Sequence, residues 1–334
     1  MAHYHTAFRA HSAMDRALRN NVPRPAYNHL HRSYQRLRKL TGRNPGRGRL
    51  LPEFVIVGAA KAGTTSLYGW LSEHPFVAPA SQKEVHFFDY NHHRGEDWYR
   101  KHFPLRSQRA DFEREHGRPF LTGEASPSYI SHYWAPQRLA KLLPQARLIV
   151  TLRNPVDRAY SQFQMSRREG EEPLRSFAEA VAAEDRRLSS ERARMMSSSN
   201  YNSWPIGCWS YLMRSRYAEQ LERWFAFFAR EQFHILTLEE MAHDPQRVLD
   251  GVHEFLGLPE HRYDDLPPMH TAGYEAMAAA DRAWLTDYFR PHNERLYELL
   301  DRDLGWERTA EVIEISTDRA DGAHALTQRK GVRA

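Results

Sequence analysis

Cysteine is almost absent from this sequence: Cys208 stands alone among 334 residues. A single thiol forms no internal disulfide and builds no cysteine cage for zinc. Long apolar runs are also missing. The longest are short pieces at residues 54–60 and 148–152, far below the ~18 consecutive residues that span a bilayer. The N-terminus is rich in arginine but lacks the continuous apolar segment of a secretory signal, so the chain is expected to start near Met1 and to be cytoplasmic. Lysine is scarce, with six among 47 basic side chains, and two of the six, Lys61 and Lys83, fall in the segments with the most chemical character.

What is present is arginine, unevenly spread. Residues 1–50 hold eleven basic side chains against Asp15 alone, so this arm carries +10 and the rest −5 of a formal net charge of +5. Such an arm suits an anionic surface or an acidic partner. It contains no recognised nucleic-acid motif, so no specific nucleic acid is expected, and a solvated helical extension is the plainer reading. The Gly/Pro/Arg-rich residues 41–49 read as a linker. The chain thus divides into a basic N-terminal extension and linker (1–50), a body (51–308) and a C-terminal tail (309–334).

The body has a repeated grammar. PEFVIVG (residues 52–58) is a β-branched run that ends in glycine, followed by a helical pattern over 64–73. ARLIVTLR (146–153) runs into Asn154-Pro155 and a helix through Tyr160 and Phe163, and FHILTL (233–238) leads to a helix over 244–256. Long helices are predicted over 216–230 and 279–300, and the charged, then Ser/Asn-rich stretch 186–203 reads as a mobile loop. Strands separated by helices predict an α/β fold, with a central parallel sheet flanked by helices and the basic helical extension in front.

GAAKAGTTS (residues 58–66) lies between a strand and a helix. Small residues there let backbone N–H groups and the positive helix end wrap an oxyanion. The two glycines match the spacing of the triphosphate pattern GxxxxGK[ST], but Thr64 occupies the lysine position and the lysine sits inside the loop as Lys61. The loop is shaped for phosphate, though not for the usual triphosphate.

These residues resemble a known family. KAGTTSLYGWL (61–71) is similar to the 5′-phosphosulfate loop of sulfotransferases that use 3′-phosphoadenosine 5′-phosphosulfate (PAPS), and LIVTLRNPVDRAYSQF (148–163) to their 3′-phosphate motif. SQKEVHFFD (81–89), GEDWYRKHFP (95–104), GEASPSYI (123–130), SRYAEQLERW (215–224), residues 238–259 and residues 289–306 continue the match in order, closest to the heparan sulfate N- and 3-O-sulfotransferase branch.

The resemblance implies a P-loop-like three-layer fold, PAPS as donor and PAP as product, with no metal. It assigns Lys61 to the bridging oxygen of the leaving phosphate. Ala62, Gly63, Thr64, Thr65 and Ser66 hold the remaining 5′ oxygens, and Arg153 and Ser161 hold the 3′-phosphate. Tyr217 falls where the family's adenine-side helix begins, although core packing fits it equally. Glu84 matches the family's general base, with His86 as second candidate. Lys83 is expected to help hold the transferring group, and Glu124 to contact the acceptor, a glycan, lipid or small molecule with a hydroxyl or amine.

Simpler readings stand beside these. Arg153 would pair with Asp157, Arg158 is structural, and His92, His93 and His102 are solvated, at a spacing that fits no compact metal site. Where heparan-type enzymes carry a lysine after the glutamate of this segment, the chain has Ala125, which weakens the case for a sulfated glycosaminoglycan. Two other classes compete: a P-loop kinase or NTPase using Glu239 and Glu240 at a strand end for Mg²⁺, and a non-catalytic PAP-binding scaffold.

Overall fold

The computed structural model describes residues 46–267, 273 and 275–307. The extension call falls almost wholly, and the tail call wholly, outside these residues. The last linker residues are already tied to the body, where the Arg49 guanidinium donates to the Phe103 carbonyl (2.6 Å) and the Leu50 amide to the Pro104 carbonyl (2.9 Å).

Five parallel strands form one sheet, β1 (Phe54–Gly58), β2 (Val77–Pro79), β3 (Leu121–Ala125), β4 (Arg147–Leu152) and β5 (Phe233–Thr237), in the order β2-β3-β1-β4-β5. Every residue of β1 is buried, as expected of a strand covered on both faces. Its side chains alternate between two cores. Val55 and Val57 join Leu148, Val150 and Leu152 on one face, while Phe54, Ile56 and Ile149 face the other.

Helices cover both faces. α1 (Thr64–Leu71) contributes Leu67 and Leu71 to the Phe54 side. On the Val55 side lies α4 (Ala135–Leu142), after the short α2 (Glu96–Arg100) and α3 (Arg106–His116). α5 (Pro155–Arg168) follows β4; its first turn is set by Pro155 and by the Asn154 side chain, which accepts from the Val156 amide. α6 (Phe177–Ser197), α7 (Trp204–Trp209), α8 (Tyr217–Phe225), α9 (Leu238–His243), α10 (Pro245–Leu256) and α11 (Ala279–Leu300) complete the described chain. This three-layer architecture is the predicted α/β, P-loop-like fold.

The predicted loop over 186–203 is mostly helix. A capping box between Ser176 and Glu179 starts α6, and Ala180, Val181, Ala183, Leu188 and Met195 give it a buried stripe at helical spacing, leaving only residues 198–203 as loop. α8 ends five residues before the expected boundary. β2 and β3 carried no strand signal. β3 contains glycine and glutamate, yet a Cβ at Gly123 would lie 2.3 Å from the Phe54 ring, so glycine is what lets that ring pack against the strand.

Candidate functional site

The chain leaves β1 for β2 and β3 on one side and later reaches β4 on the other. In an open parallel sheet the crevice for ligands forms at the carboxyl ends where the strand order reverses in this way. The loop between β1 and α1 sits at that edge. Gly63 immediately precedes α1 with φ +81°, and a Cβ there would come within 2.7 Å of a Leu238 methyl, so conformation and space both call for glycine. α1 has no side-chain cap and no acidic residue in its first turn, and Thr64 and Ser66 are buried within it.

Lys61 adopts φ 74°, a left-handed backbone that a side-chain-bearing residue rarely takes. Its carbonyl accepts from the Arg153 guanidinium (3.2 Å), and its ammonium lies 3.4 Å from the Met165 sulfur on α5. Burial lowers the Lys61 pKa, and the charges of Arg168, Arg153 and Arg158 lower it further, against one raising influence from Glu169. A cluster of cations around small residues and an open helix N-terminus is built to receive a polyanion.

Arg153 follows β4 directly, and its carbonyl accepts from the buried Tyr217 hydroxyl (2.9 Å). Tyr217 therefore has a core position and a polar tie to this loop. Ser161 is buried on α5. The alternative Arg153–Asp157 pair does not form; Asp157 pairs instead with Arg282 on α11 (2.7 Å). Arg158 is fully buried and structural, donating to Ser215 Oγ (2.6 Å) and to the carbonyls of Ser210 (3.0 Å) and Tyr211 (2.9 Å).

A second loop, after β2, holds the acid–base candidates. Lys83 donates to Glu84 Oε1, His86 Nε2 lies 3.5 Å from Glu84 Oε2, and His86 Nδ1 bonds the buried Asp89 Oδ2 at 2.9 Å. Ser128 Oγ and the Tyr90 amide also donate to Asp89, at 2.5 and 2.6 Å. Burial alone would lower the His86 pKa, but its hydrogen bonds to Asp89 and Glu84 push it to about 10. Burial alone would raise Glu84, yet the bond from His86 and the charge of Lys83 hold it at about 2. At neutral pH the loop therefore presents an imidazolium between two carboxylates.

Glu84 and His86 also have positive φ, 60° and 53°. Their loop is pinned to the end of β3, with the Glu84 amide donating to the Ala125 carbonyl (3.0 Å) and the His86 amide to Ser126 Oγ (3.0 Å). β3 neighbours β1, so both loops rise from the same edge. The sequence did not reveal Asp89, Ser128 or Met165 as partners. The i, i+3 spacing of His86 and Asp89 is the one signal that could have found the first of them.

Glu124 requires a correction. It is wholly buried, and its oxygens accept from the hydroxyls of Tyr99 (2.8 Å), Tyr129 (3.0 Å) and Ser126 (2.7 Å), so it does not face an acceptor. Of the three histidines expected in solvent, His93 is exposed and His92 half-buried, whereas His102 is buried with its ring 4.8 Å from that of Trp98. The acidic pair at the end of β5 is engaged within the fold. Glu240 forms a capping box with Thr237, and Glu239 accepts from the Asn154 amide (2.9 Å). No group of three His, Cys, Asp or Glu side chains that can hold a metal occurs among the described residues.

The family model described as "Sulfotransferase domain" matches residues 51–277. The chain belongs to the sulfotransferase family. A solved sulfotransferase from Alicyclobacillus acidocaldarius is 33% identical, with a TM-score of 0.60, over 78% of this chain and 99% of that one. The membrane-associated sulfotransferase kil1 of Dictyostelium discoideum is 29% identical over 79% of this chain and 68% of its own length. The human bifunctional heparan sulfate N-deacetylase/N-sulfotransferase 3 is 33% identical over 75% of this chain, but that match spans only 30% of the relative. The expected reaction class follows: this sulfotransferase transfers a sulfuryl group, with PAPS the family's donor. The expected cytoplasmic location does not stand, because a curated relative matching most of the sulfotransferase is membrane-associated. No helix among the described residues is long and apolar enough to cross a membrane.

Proposed function

We propose that the sulfotransferase moves the sulfuryl group of PAPS to a hydroxyl or amine of a carbohydrate, lipid or small natural product, with the Lys61 loop holding the donor and Glu84 acting as base. The observation that carries this reading is that the cation-rich loop after β1 and the Glu84–His86–Asp89 loop beside β3 occupy one edge of the sheet, each with left-handed backbone at its reactive residues. The acceptor oxygen or nitrogen bonds to sulfur while the bond from sulfur to the 5′-phosphate oxygen breaks. Glu84 takes the acceptor proton, and PAP leaves with the electron pair of the broken bond. Lys61 and the first amides of α1 stabilise the charge that grows on the leaving phosphate. Arg153 and Ser161 hold the 3′-phosphate, and Thr64, Thr65 and Ser66 the 5′ oxygens.

His86 is already protonated, so it serves as the cation that holds Glu84 rather than as a second base. A carboxylate held at about 2 is a weak base while Lys83 is bound to it. Transfer of the Lys83 ammonium from Glu84 to the sulfuryl oxygens when donor enters would remove one of the two cations on the carboxylate and raise its basicity, with His86 still bonded to it. The glycan relatives support a carbohydrate among the acceptor classes, and Ala125 argues against requiring a sulfated one. The discriminating variant is Glu84→Gln. It should lower turnover of PAPS by ~10²-fold or more while PAP affinity stays within twofold. Unchanged turnover would refute Glu84 as base.

A further inference from the structure

Glu124 lies on β3 with no cation bonded to it, and the transfer reaction does not use it. Its surroundings have a fixed direction. A backbone amide can only donate, so the His86 amide makes Ser126 Oγ an acceptor (3.0 Å), and the Phe87 amide makes the Tyr129 hydroxyl an acceptor (2.7 Å). Each hydroxyl then has its own proton to give, and both give it to Glu124, Ser126 to Oε2 (2.7 Å) and Tyr129 to Oε1 (3.0 Å). Two chains thus run from amide to hydroxyl to carboxylate and converge on one side chain.

We propose that Glu124 is a positioning residue, which sets the backbone of the base loop at His86 and Phe87 through the Ser126 and Tyr129 hydroxyls and so holds Glu84 and His86 in register. The inference rests on the reading of Glu84 as the base. A third hydroxyl supports the same loop: Tyr99 donates to Oε1 (2.8 Å) and its ring stacks on Phe87 at 4.4 Å. Both ends of the strained stretch are then fixed, Glu84 through its amide to the Ala125 carbonyl and residues 86–87 through the relays. A buried carboxylate that accepts on both oxygens suits this task. A glutamine would offer an N–H where one hydroxyl must donate, and would break one relay.

The test reads His86 directly, by NMR titration of its ring in full-length wild type, Glu124→Gln, Ser126→Ala and Tyr129→Phe. PAP affinity and melting temperature are measured alongside. The wild-type ring is expected to stay protonated through pH 8. In Ser126→Ala and Tyr129→Phe, which leave the Glu124 side chain in place, loosening residues 84–87 should weaken proton binding at His86 at least tenfold, with PAP affinity within twofold. Glu124→Gln should do so more strongly. If Ser126→Ala and Tyr129→Phe titrate like wild type, the positioning role is overturned even where Glu124→Gln shifts, because the carboxylate then acts through its charge alone. These two variants decide the question should Glu124→Gln fail to fold. Normal turnover in Glu84→Gln would remove the base assignment but leave the titration result standing, so the two failures are distinguishable.

Discussion

Replacing Asp89 by Asn removes one of the two carboxylates that hold the His86 imidazolium, and the size of the effect follows from the geometry. His86 rises from 6.5 to about 10 under two carboxylates, Asp89 at 2.9 Å and Glu84 at 3.5 Å. Asp89, nearer and fully buried, is first among the groups that raise it against burial, and its loss is expected to lower the ring by about 2 pKa units, or ~2.7 kcal/mol at 1.36 kcal/mol per unit. At pH 7 Asp89→Asn should therefore lower stability by ~2–3 kcal/mol, near the lower end for a broken buried pair and on the order of 5–10 °C in Tm for a domain of this size.

The sign with pH is specific. The raised folded pKa of His86 contributes stability that is fully present below its unfolded value of 6.5 and is lost as pH rises through about 10. In the variant the ring would lose its proton near pH 8, so the stability difference should be flat up to about pH 8 and shrink between pH 8 and 10. Asp89 itself has a lowered pKa, from burial opposed and outweighed by the bonds from His86 and Ser128, so its share is present above its unfolded value and is lost as pH falls through the lowered one. Urea unfolding of both proteins at pH 5, 7, 8 and 9.5 measures this. A difference below ~0.5 kcal/mol at pH 7, or one that does not shrink above pH 8, would refute the imidazolium between two carboxylates.

Three further outcomes are expected. Lys61→Met should abolish measurable sulfuryl transfer with the fold intact by circular dichroism, because it removes the only charge on the loop side chains beside the leaving phosphate; retained activity would move that role elsewhere. Arg153→Ala should weaken PAP binding ~10–100-fold by calorimetry, the loss of a charge-assisted contact to phosphate, while the far-UV spectrum is unchanged. Saturating PAP, at about a hundred times its dissociation constant, adds ~2.7 kcal/mol and should raise Tm by several degrees, whereas ATP with Mg²⁺ should not; the opposite result would favour a kinase.

How much of this was legible in the sequence depended on whether a signal was local. β1 and β4 are apolar, β-branched runs buried along nearly all their length, and β5 is an apolar run at the sheet edge, half-buried at His234 and Ile235; all three read correctly. β3 did not, because its Gly123 makes room for Phe54 and its Glu124 is satisfied by three hydroxyls brought from elsewhere in the chain. The same reason misplaced Glu124 itself: a carboxylate in a motif looks available until its donors are seen. In α6 the arginines and serines of residues 186–197 masked an alanine- and leucine-lined stripe that only packing makes decisive. Lys61 and its loop were legible because spacing and residue size carry the chemistry. The role of His86 was not, since its charge is set by Asp89 and Glu84 together.

The backbone offers a way to locate the site that does not depend on resemblance. Four non-glycine residues among those described have positive φ: Lys61, Glu84, His86 and Asp301. Asp301 is accounted for by its place immediately after α11, where a left-handed residue is an ordinary helix ending. No helix ends at the other three. Each left-handed residue of this kind costs on the order of 1–3 kcal/mol and persists only where neighbours over-determine it. Those neighbours are identified: Arg153 on the Lys61 carbonyl, Ala125 on the Glu84 amide and Ser126 on the His86 amide. Glycine would meet the conformational demand at all three positions without strain, which makes the side chains of Lys61, Glu84 and His86 the feature to test. Strain that helix capping does not explain therefore falls on the three residues to which the proposed mechanism assigns a leaving-group cation, a base and the cation that holds the base.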